Sequence, residues 1–454
     1  MHPALFRRRR IIAALLALSL TAAACSSGPV VEEQSREPDP EAGVTDEDPE
    51  DGEGLDDGTA PTVPEPVGEA VDEEPVVAAD VGVTNDTIRI GYSLDLSGPF
   101  SFHDARVLDG HFALFESINE SGGIAGRTIE VVALDNEFDV ATHLDNVAVL
   151  LAEDSGVALL GGLSHPNFDD ATVSIASTDL LIVGNTTPTE TSTTAVVVPL
   201  RASVCAETTA GVAAMVDMTS SAEDEPAQLA IISTVEPWAS GSAEVSRRVA
   251  EELEVGVLID AEVEANDDLS ELITELVESD VDMVWVAAAP TVGVSLAAVF
   301  EQLEESPEWL LSGTDLSFSS AVLNSASRTA FGEVFLRVTS DPLVDSPDLS
   351  EVRAALAESA PELTYAEAGP ALFGWEQAEL IVAVLEQAAD SQDLTRSSLA
   401  AIGETLAPAP REVVVYQADP LTNLNRTLSM PGESGLEQVF TESDVPNAVS
   451  ALCS

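Results

Sequence analysis

Side chains suited to binding a small molecule follow four short apolar runs of the chain, at residues 157–161, 180–183, 229–233 and 309–312. In parallel sheets, ligands bind beyond the carboxyl ends of the strands, where the unpaired N–H groups of a following helix favour an anion. The pattern therefore predicts a polar binding site at the strand ends. Its candidate residues are Ser164, His165, Asn185, Thr186, Thr187, Trp238 and Asp315.

Each of these candidates also has a purely structural interpretation. Ser164 could cap a helix while His165 faces solvent, and the Asn-Thr-Thr segment at 185–187 suits a plain turn. Trp238 offers a large apolar surface that could simply pack at the base of the next helix. Asp315 could cap a helix. Both interpretations stay open at this point.

Motifs for catalysis or metal binding are poorly supported. The loop at 162–166 contains Ser164 but lacks the closing glycine of the nucleophile elbow G-x-S-x-G. The histidines at 103, 111 and 143 have no metal-ligand spacing. Asp135 and Glu137 invite a metal hypothesis, but Asp139 fits a helix cap better. We expect no enzyme, no cofactor and no metal.

The elements that position these residues are clearest between residues 88 and 134. An alternating strand (Ile88, Ile90, Tyr92, Leu94) ends in Ser97-Gly98-Pro99, a helix runs to Gly122-Gly123, and a second strand covers 128–134. This is a βαβ unit, and similar alternation continues along the chain. About 370 residues are too many for one core, so the sequence predicts an α/β protein with two doubly wound parallel-sheet lobes.

The order of these pieces resembles the type I periplasmic solute-binding proteins, specifically the branched-chain amino-acid binding family. The resemblance rests on the strand, the Ser-Gly-Pro turn, and a helix that ends in I-N-x-x-G-G-I-x-G-R at 118–127. A strand and an acidic segment at 135–139, just before a helix, complete it. A weaker similarity continues to about residue 430.

The resemblance implies a Venus-flytrap fold, in which a three-segment hinge joins the lobes. Lobe 1 would comprise 85–202 and 336–417, and lobe 2 would comprise 203–335 and 418–454. The chain would cross between them near Arg201-Ala202-Ser203, near Phe335–Asp341 and near Gln417–Asp419.

The resemblance also implies roles for the candidate residues. The loops around 164–165 and 185–187 would hold a ligand carboxylate and part of its ammonium group, Trp238 would stack on the ligand, and Asp315 would pair with the α-ammonium. Two departures reshape this pocket: His165 stands where the family has serine, and Ala288-Ala289-Pro290 replaces a second aromatic residue. We therefore expect an amino acid or a related small amine or carboxylate.

The resemblance implies a solute-binding protein that delivers its ligand to the permease of an ABC importer. The alternative is a ligand-sensing lipoprotein of the same fold that signals to a membrane partner. An enzyme on the same scaffold is a weaker third hypothesis.

The N-terminal residues predict export and lipid anchoring. Arg7–Arg10 precede an apolar stretch at 11–24 and then Cys25, which is typical of a signal peptide followed by an acylated cysteine. The alternative is a secreted protein with a free Cys25. Residues 25–84 are acidic, rich in proline and glycine, and are expected to form a disordered tether.

Charge and cysteine content narrow the partners further. The formal net charge is −64, so contact with nucleic acid is not expected. We expect a monomer, held at the outer face of the cell membrane through Cys25. The remaining cysteines, Cys205 and Cys453, are predicted to be bridged because exported thiols usually pair. Two small buried hydrophobic residues are the alternative.

Overall fold

The structure is a computed structural model of the 454-residue chain. It describes residues 78–79, 82–98, 100–152, 159–160, 179–184, 195–219, 226–264, 267–300, 309–315, 317–318, 335–340, 344, 346–364, 367–408, 411–418 and 436–453. The signal segment 1–24, Cys25 and nearly all of the tether at 25–84 lie outside these residues, so the predictions made for them stay predictions.

Strands and helices alternate along the described chain. The strands are β1 Ala78–Ala79, β2 Thr87–Leu94, β3 Thr128–Asp135, β4 Leu159–Leu160, β5 Leu180–Gly184, β6 Ala195–Pro199, β7 Gln228–Ser233, β8 Gly256–Glu262, β9 Met283–Ala287, β10 Leu310–Gly313, β11 Leu336–Thr339, β12 Asp393–Leu394, β13 Val414–Ala418 and β14 Leu436–Thr441. The α-helices are α1 Ser101–Glu120, α2 Val140–Leu151, α3 Val204–Thr219, α4 Pro237–Glu252, α5 Ser270–Glu278, α6 Pro290–Phe300, α7 Ser350–Ser359, α8 Ala368–Asp390, α9 Arg396–Leu406 and α10 Asn447–Ser450. Short 3-10 turns occur at Pro347–Leu349, Glu442–Asp444 and Ala451–Cys453.

The first sheet is parallel, with the strand order β3-β2-β4-β5-β6. Its inner strands β2 and β5 are largely buried, as expected for a parallel sheet covered by helices, and this explains their nearly continuous apolar runs. Side chains of β2, including Ile88 and Ile90, pack with α1, α8 and α9 in one core. On the opposite face, Val147 and Leu150 of α2 pack against Leu180 of β5.

The second sheet is also parallel, with the order β10-β9-β7-β8. Successive residues of β7 face opposite cores, as the two-residue period of a strand requires. Ile232 packs with α5 and α6 on one side. Ile231 packs with α3 and α4 on the other. The fold is therefore α/β with two parallel sheets covered by helices, as the sequence predicts.

A third, antiparallel sheet has the order β11-β13-β14. It adjoins the second sheet because Phe335, just before β11, forms a bridge with Leu311 of β10. The amide of Ala202, which follows β6, donates to Ser340 Oγ at 3.1 Å, just after β11. Two of the predicted crossing segments are thus joined by a buried hydrogen bond, while the lobe boundaries themselves remain a prediction.

Helices α1 and α8 cross at backbone contact. A Cβ atom on Gly374 would lie 1.9 Å from the carbonyl oxygen of Val107, and one on Gly110 would lie 2.0 Å from that of Ala371. Only glycine permits this close approach, so Gly110 and Gly374 are what allow α8 to pack against α1.

Cys205 and Cys453 are joined by a disulfide, with an S–S distance of 2.10 Å. Cys205 lies in the first turn of α3, and Cys453 ends the last 3-10 turn. The bond therefore ties the end of the chain to the helix that follows the first sheet.

Candidate ligand-binding site

Two of the predicted site residues can be placed in the structure. Trp238 and Asp315 follow β7 and β10 at the carboxyl end of the second sheet. The remaining predicted residues, Ser164, His165, Asn185, Thr186 and Thr187, lie outside the described residues. The site is therefore built from the second sheet, the crossing segments and the loops after β2 and β3.

Trp238 lies in the first turn of α4, which Glu236 precedes and Pro237 begins. A proline at this position suits a helix start, since its missing N–H would be unpaired there anyway. The side chain is 5% exposed and packs with Ala239, Ala289 and Phe100. Phe100 belongs to the loop after β2, so Trp238 makes contact with the first sheet's loops as well as with its own helix.

Phe100 extends this apolar cluster on the first-sheet side. Its ring stacks on that of Phe138, which follows β3, with the ring centroids 4.7 Å apart. Ala289 belongs to Ala288-Ala289-Pro290, the segment that is predicted to replace a second aromatic residue, and it is fully buried in the cluster with Trp238 and Phe100. Phe100 and Phe138 give this cluster aromatic surface from the first-sheet side.

The turn after β2 is held in place by Asp95. Its carboxylate accepts the amide of Gly98 and, at 2.7 Å, that of Phe100, while its own amide donates to Asp104 at 2.9 Å. Burial raises the pKa of the Asp95 carboxyl, and the two accepted N–H groups partly oppose that rise. Asp95 therefore holds the backbone amides of Gly98 and Phe100 in place, and so helps to position Phe100 within the cluster that contains Trp238.

The acidic segment after β3 is structural. Asp139 caps α2, since its carboxylate accepts the amide of Thr142 at 2.8 Å, as predicted. Asp135 accepts the amides of Leu96 and Glu137, both at 2.9 Å. Within the described ranges, no cluster of histidine, cysteine or acidic side chains has the arrangement of a metal site.

Asp315 is buried, with 7% exposure, and is paired with two arginines. Its Oδ1 lies 3.5 Å from Nη2 of Arg337, and its Oδ2 lies 3.9 Å from Nη2 of Arg201. The predicted role of Asp315 as the partner of a ligand ammonium stays untested, but the structure gives both carboxylate oxygens a cation from the chain itself.

Arg201 and Arg337 both lie on predicted hinge segments. Arg201 follows β6 with only 5% exposure, and its guanidinium carbon lies 3.9 Å from the centroid of the Phe373 ring. That distance is suitable for a cation–π contact. The Phe373 ring belongs to α8, so Arg201 links the end of the first sheet, α8 and Asp315.

Arg337 is placed by β11, directly opposite Tyr416 of β13. Its guanidinium approaches the first turn of α8, where a Cβ on Gly369 would lie 3.9 Å from Nη2. The Nε atom is buried and has no hydrogen-bond acceptor in the part of the chain that the structure describes. Burial raises the pKa of the Tyr416 hydroxyl, and the charge of Arg337 partly opposes this.

Sequence reasoning missed these arginines. The signal was nonetheless present: the chain has no lysine and few arginines, yet one stands beside an apolar run at Pro199-Leu200 and another within Phe335–Val338. A cation in a buried strand needs an anionic partner, which the neighbouring segments must supply.

Comparison with known families decides the class of protein. The model of the periplasmic binding protein family matches residues 87–409, more than half of the chain. This chain belongs to the periplasmic binding protein family. It is thus a non-enzymatic ligand-binding protein of type I fold, and the family places this periplasmic binding protein outside the cytoplasm.

Solved structures share the fold of this periplasmic binding protein at low sequence identity. A fatty acid ABC transporter substrate-binding protein from Thermomonospora curvata is 20% identical, with a TM-score of 0.68, over 81% of this chain and 96% of its own. A leucine binding protein from Thermotoga maritima is 13% identical, with a TM-score of 0.62, over 78% and 98%.

A third similar structure is a solute binding protein from R. palustris in complex with 4-hydroxybenzoate. It is 14% identical, with a TM-score of 0.61, over 80% of this chain and 98% of its own. A search of the curated proteins found no match. Among the described helices of this periplasmic binding protein, none is long and apolar enough to cross a membrane.

Proposed function

We propose that this protein captures a small organic solute, an amino acid or a related amine or carboxylate, for an ABC importer. The observation that carries the proposal is that Phe100, which follows β2, and Trp238, in the first turn of α4 after β7, belong to one packed apolar cluster. Loops at the carboxyl ends of two separate parallel sheets thus face one another, which is the arrangement in which α/β proteins enclose a ligand.

In this proposal, residues 85–202 with 336–417 and residues 203–335 with 418–454 are two lobes that move about the crossing segments. The Phe100–Trp238 contact would belong to the closed state. Ligand would favour closure only through contacts that the open state lacks. The permease of the importer would recognise the closed lobes.

The remaining loops would complete the grip. Ser164 and His165, with Asn185, Thr186 and Thr187, would supply hydroxyl, amide and N–H donors from the first lobe. Trp238 would supply an apolar wall from the second. A signal peptide at 1–24, acylation at Cys25 and a tether at 25–84 would hold a monomer at the outer face of the cell membrane.

Native mass spectrometry of the purified protein, followed by a thermal-shift panel of amino acids, amides and short carboxylates, tests the proposal. A ligand at about 100 times its Kd should stabilise the fold by about 2.7 kcal/mol, which raises Tm measurably. Trp238→Ala should weaken the binding of the identified ligand by about tenfold or more, since an aromatic wall is lost. A panel without a single hit, together with a mass spectrum free of bound small molecules, would count against a solute-binding role.

A matched control uses a tryptophan remote from the loops of the site. Trp309 directly precedes β10 and packs in the core of the second sheet. A conservative Trp309→Phe substitution should leave the ligand affinity within about twofold, even though it lowers stability.

A further inference from the structure

In the resembling family, the position of Asp315 holds a carboxylate that binds an ammonium group. Asp315 is present, but one of its oxygens faces Arg337 and the other faces Arg201. A carboxylate between two guanidinium groups has its negative charge already balanced, so an added ammonium would meet two like charges at close range. The surroundings of Asp315 therefore disfavour a cationic ligand group.

The same surroundings favour an anion. Arg337 reaches Asp315 through Nη2, while its buried Nε has no acceptor among the described residues. A guanidinium presents its N–H groups as a planar fork that matches the two oxygens of a carboxylate. A buried donor left unpaired costs free energy, which a ligand carboxylate would recover.

Apolar side chains supply a further surface at the carboxyl ends of the two sheets. Phe100, Phe138, Trp238 and Ala289 form one packed cluster between the loops of the two sheets, and Phe373 lies against Arg201. Such surfaces suit a hydrocarbon or aromatic body.

We propose that the ligand is an organic acid with an apolar body and no ammonium group. Arg337 donates to its carboxylate, and Asp315 acts as the counter-ion that fixes Arg201 and Arg337 rather than as a ligand contact. This inference rests on the proposed solute-binding function and names the class of solute.

Matched ligand pairs that differ only in the α-ammonium group test the inference on the unaltered protein. The pairs are 4-methylpentanoate with leucine and 3-phenylpropanoate with phenylalanine, measured by calorimetry. In whichever pair has a body that the site accepts, we expect the acid without the amine to bind at least about tenfold tighter than its amino acid. An amino acid that binds as tightly as its des-amino partner, or tighter, refutes this inference but leaves the importer function standing. If neither these probes nor the wider panel bind, the proposed function is refuted, and this inference with it.

Variants assign the role of each side chain. Arg337→Gln should weaken binding of the acid by about 10- to 100-fold, and Arg337→Lys should restore part of the loss, since charge returns without the fork. Asp315→Asn should strengthen binding of the acid by several-fold, because it releases the guanidinium groups. A loss of acid binding in Asp315→Asn, at a Tm that shows a folded protein, contradicts the counter-ion role.

Arg247→Gln is the matched control. Arg247 forms an exposed pair with Asp260 on the second sheet, at 2.6 Å and 2.9 Å. Its loss removes the same charge from the chain without touching the proposed site. Acid affinity within about twofold of the unaltered protein is expected, and an equal loss in Arg247→Gln and Arg337→Gln would show a general charge effect and refute the role of Arg337.

Discussion

Arg337 Nη2 lies 3.5 Å from Asp315 Oδ1, so a side chain of β11 is paired with the second residue after β10. The pair is largely shielded from water, with 17% and 8% of the two side chains exposed. A partly buried ion pair is a poor stabiliser in absolute terms, yet removing one partner leaves a charge that the interior cannot solvate. The pair thus couples the second and third sheets.

A double-mutant cycle on this pair should show strong coupling. Asp315→Asn and Arg337→Gln should each lower the free energy of unfolding by about 2–4 kcal/mol, and the double variant should lose clearly less than the sum. Urea denaturation at neutral pH measures all three. The exposed Arg247–Asp260 pair is the control, with an expected coupling of about 0.5 kcal/mol. Additive losses at Asp315 and Arg337 would contradict a direct pairing.

The crossing of α1 and α8 predicts a sharp difference between two glycines that both lie inside helices. Gly374→Ala should lower the free energy of unfolding by about 3 kcal/mol, because its methyl group would collide with the backbone of Val107. Gly241→Ala in α4 has open space around the new methyl group and should gain up to about 1 kcal/mol from helix propensity. Thermal and urea unfolding of both variants would measure this, and a stable Gly374→Ala would contradict the close crossing.

The disulfide should contribute substantially to stability. Replacing Cys205 and Cys453 together by serine should lower the free energy of unfolding by about 2–5 kcal/mol, since the bond closes a long loop in the unfolded chain. Adding a reductant to the unaltered protein should lower its Tm to about that of the double serine variant. The double serine variant serves as the control, because its Tm should not respond to the reductant.

His111 should make stability depend on pH. It is fully buried, its Nδ1 donates to the carbonyl of Val107 at 2.9 Å, and burial lowers its pKa from 6.5 to about 4. As the pH falls below 6.5, the unfolded chain takes up this proton before the folded chain does. The free energy of unfolding should therefore fall between pH 6.5 and pH 4, by about 3 kcal/mol from this residue.

Comparison with His111→Gln isolates this contribution. The variant should lose less stability than the unaltered protein between pH 6.5 and pH 4, while the difference between the two should be constant above pH 7. Urea midpoints across the pH range measure both slopes. Parallel pH profiles throughout would show that His111 does not resist protonation.

Much of the fold could be predicted because its inner strands are buried on both faces. Met283–Ala287 is an uninterrupted apolar run, and β9 has the same bounds. For β8 the apolar run covers only 257–259, whereas the strand extends over Gly256–Glu262. Within the described sheet β8 pairs on one side only, so polar side chains such as Asp260 and Glu262 are tolerated there. Because these residues interrupt the apolar pattern, the sequence does not indicate the rest of the strand.

The site was harder to predict than the fold. Packing of Trp238 beside a helix start could be anticipated, but its place in one cluster with Phe100 depends on how two sheets face one another. The pairing of Asp315 depends on Arg201 and Arg337, which lie 114 residues before it and 22 residues after it (315 − 201 and 337 − 315). Local spacing carries no information about such encounters, because they arise only when the crossing segments meet.

The outer strand β8 has a consequence for how copies of this molecule behave in concentrated solution. Its Leu258 is exposed, and a bare strand edge with apolar side chains is a template for unwanted pairing with another chain. Glu262 puts a carboxylate on the same strand, Asp260 is paired with Arg247, and the whole molecule is strongly acidic. Mutual repulsion should keep two such edges apart in dilute buffer, so high salt, which screens that repulsion, is the condition under which edge-to-edge aggregation would first appear.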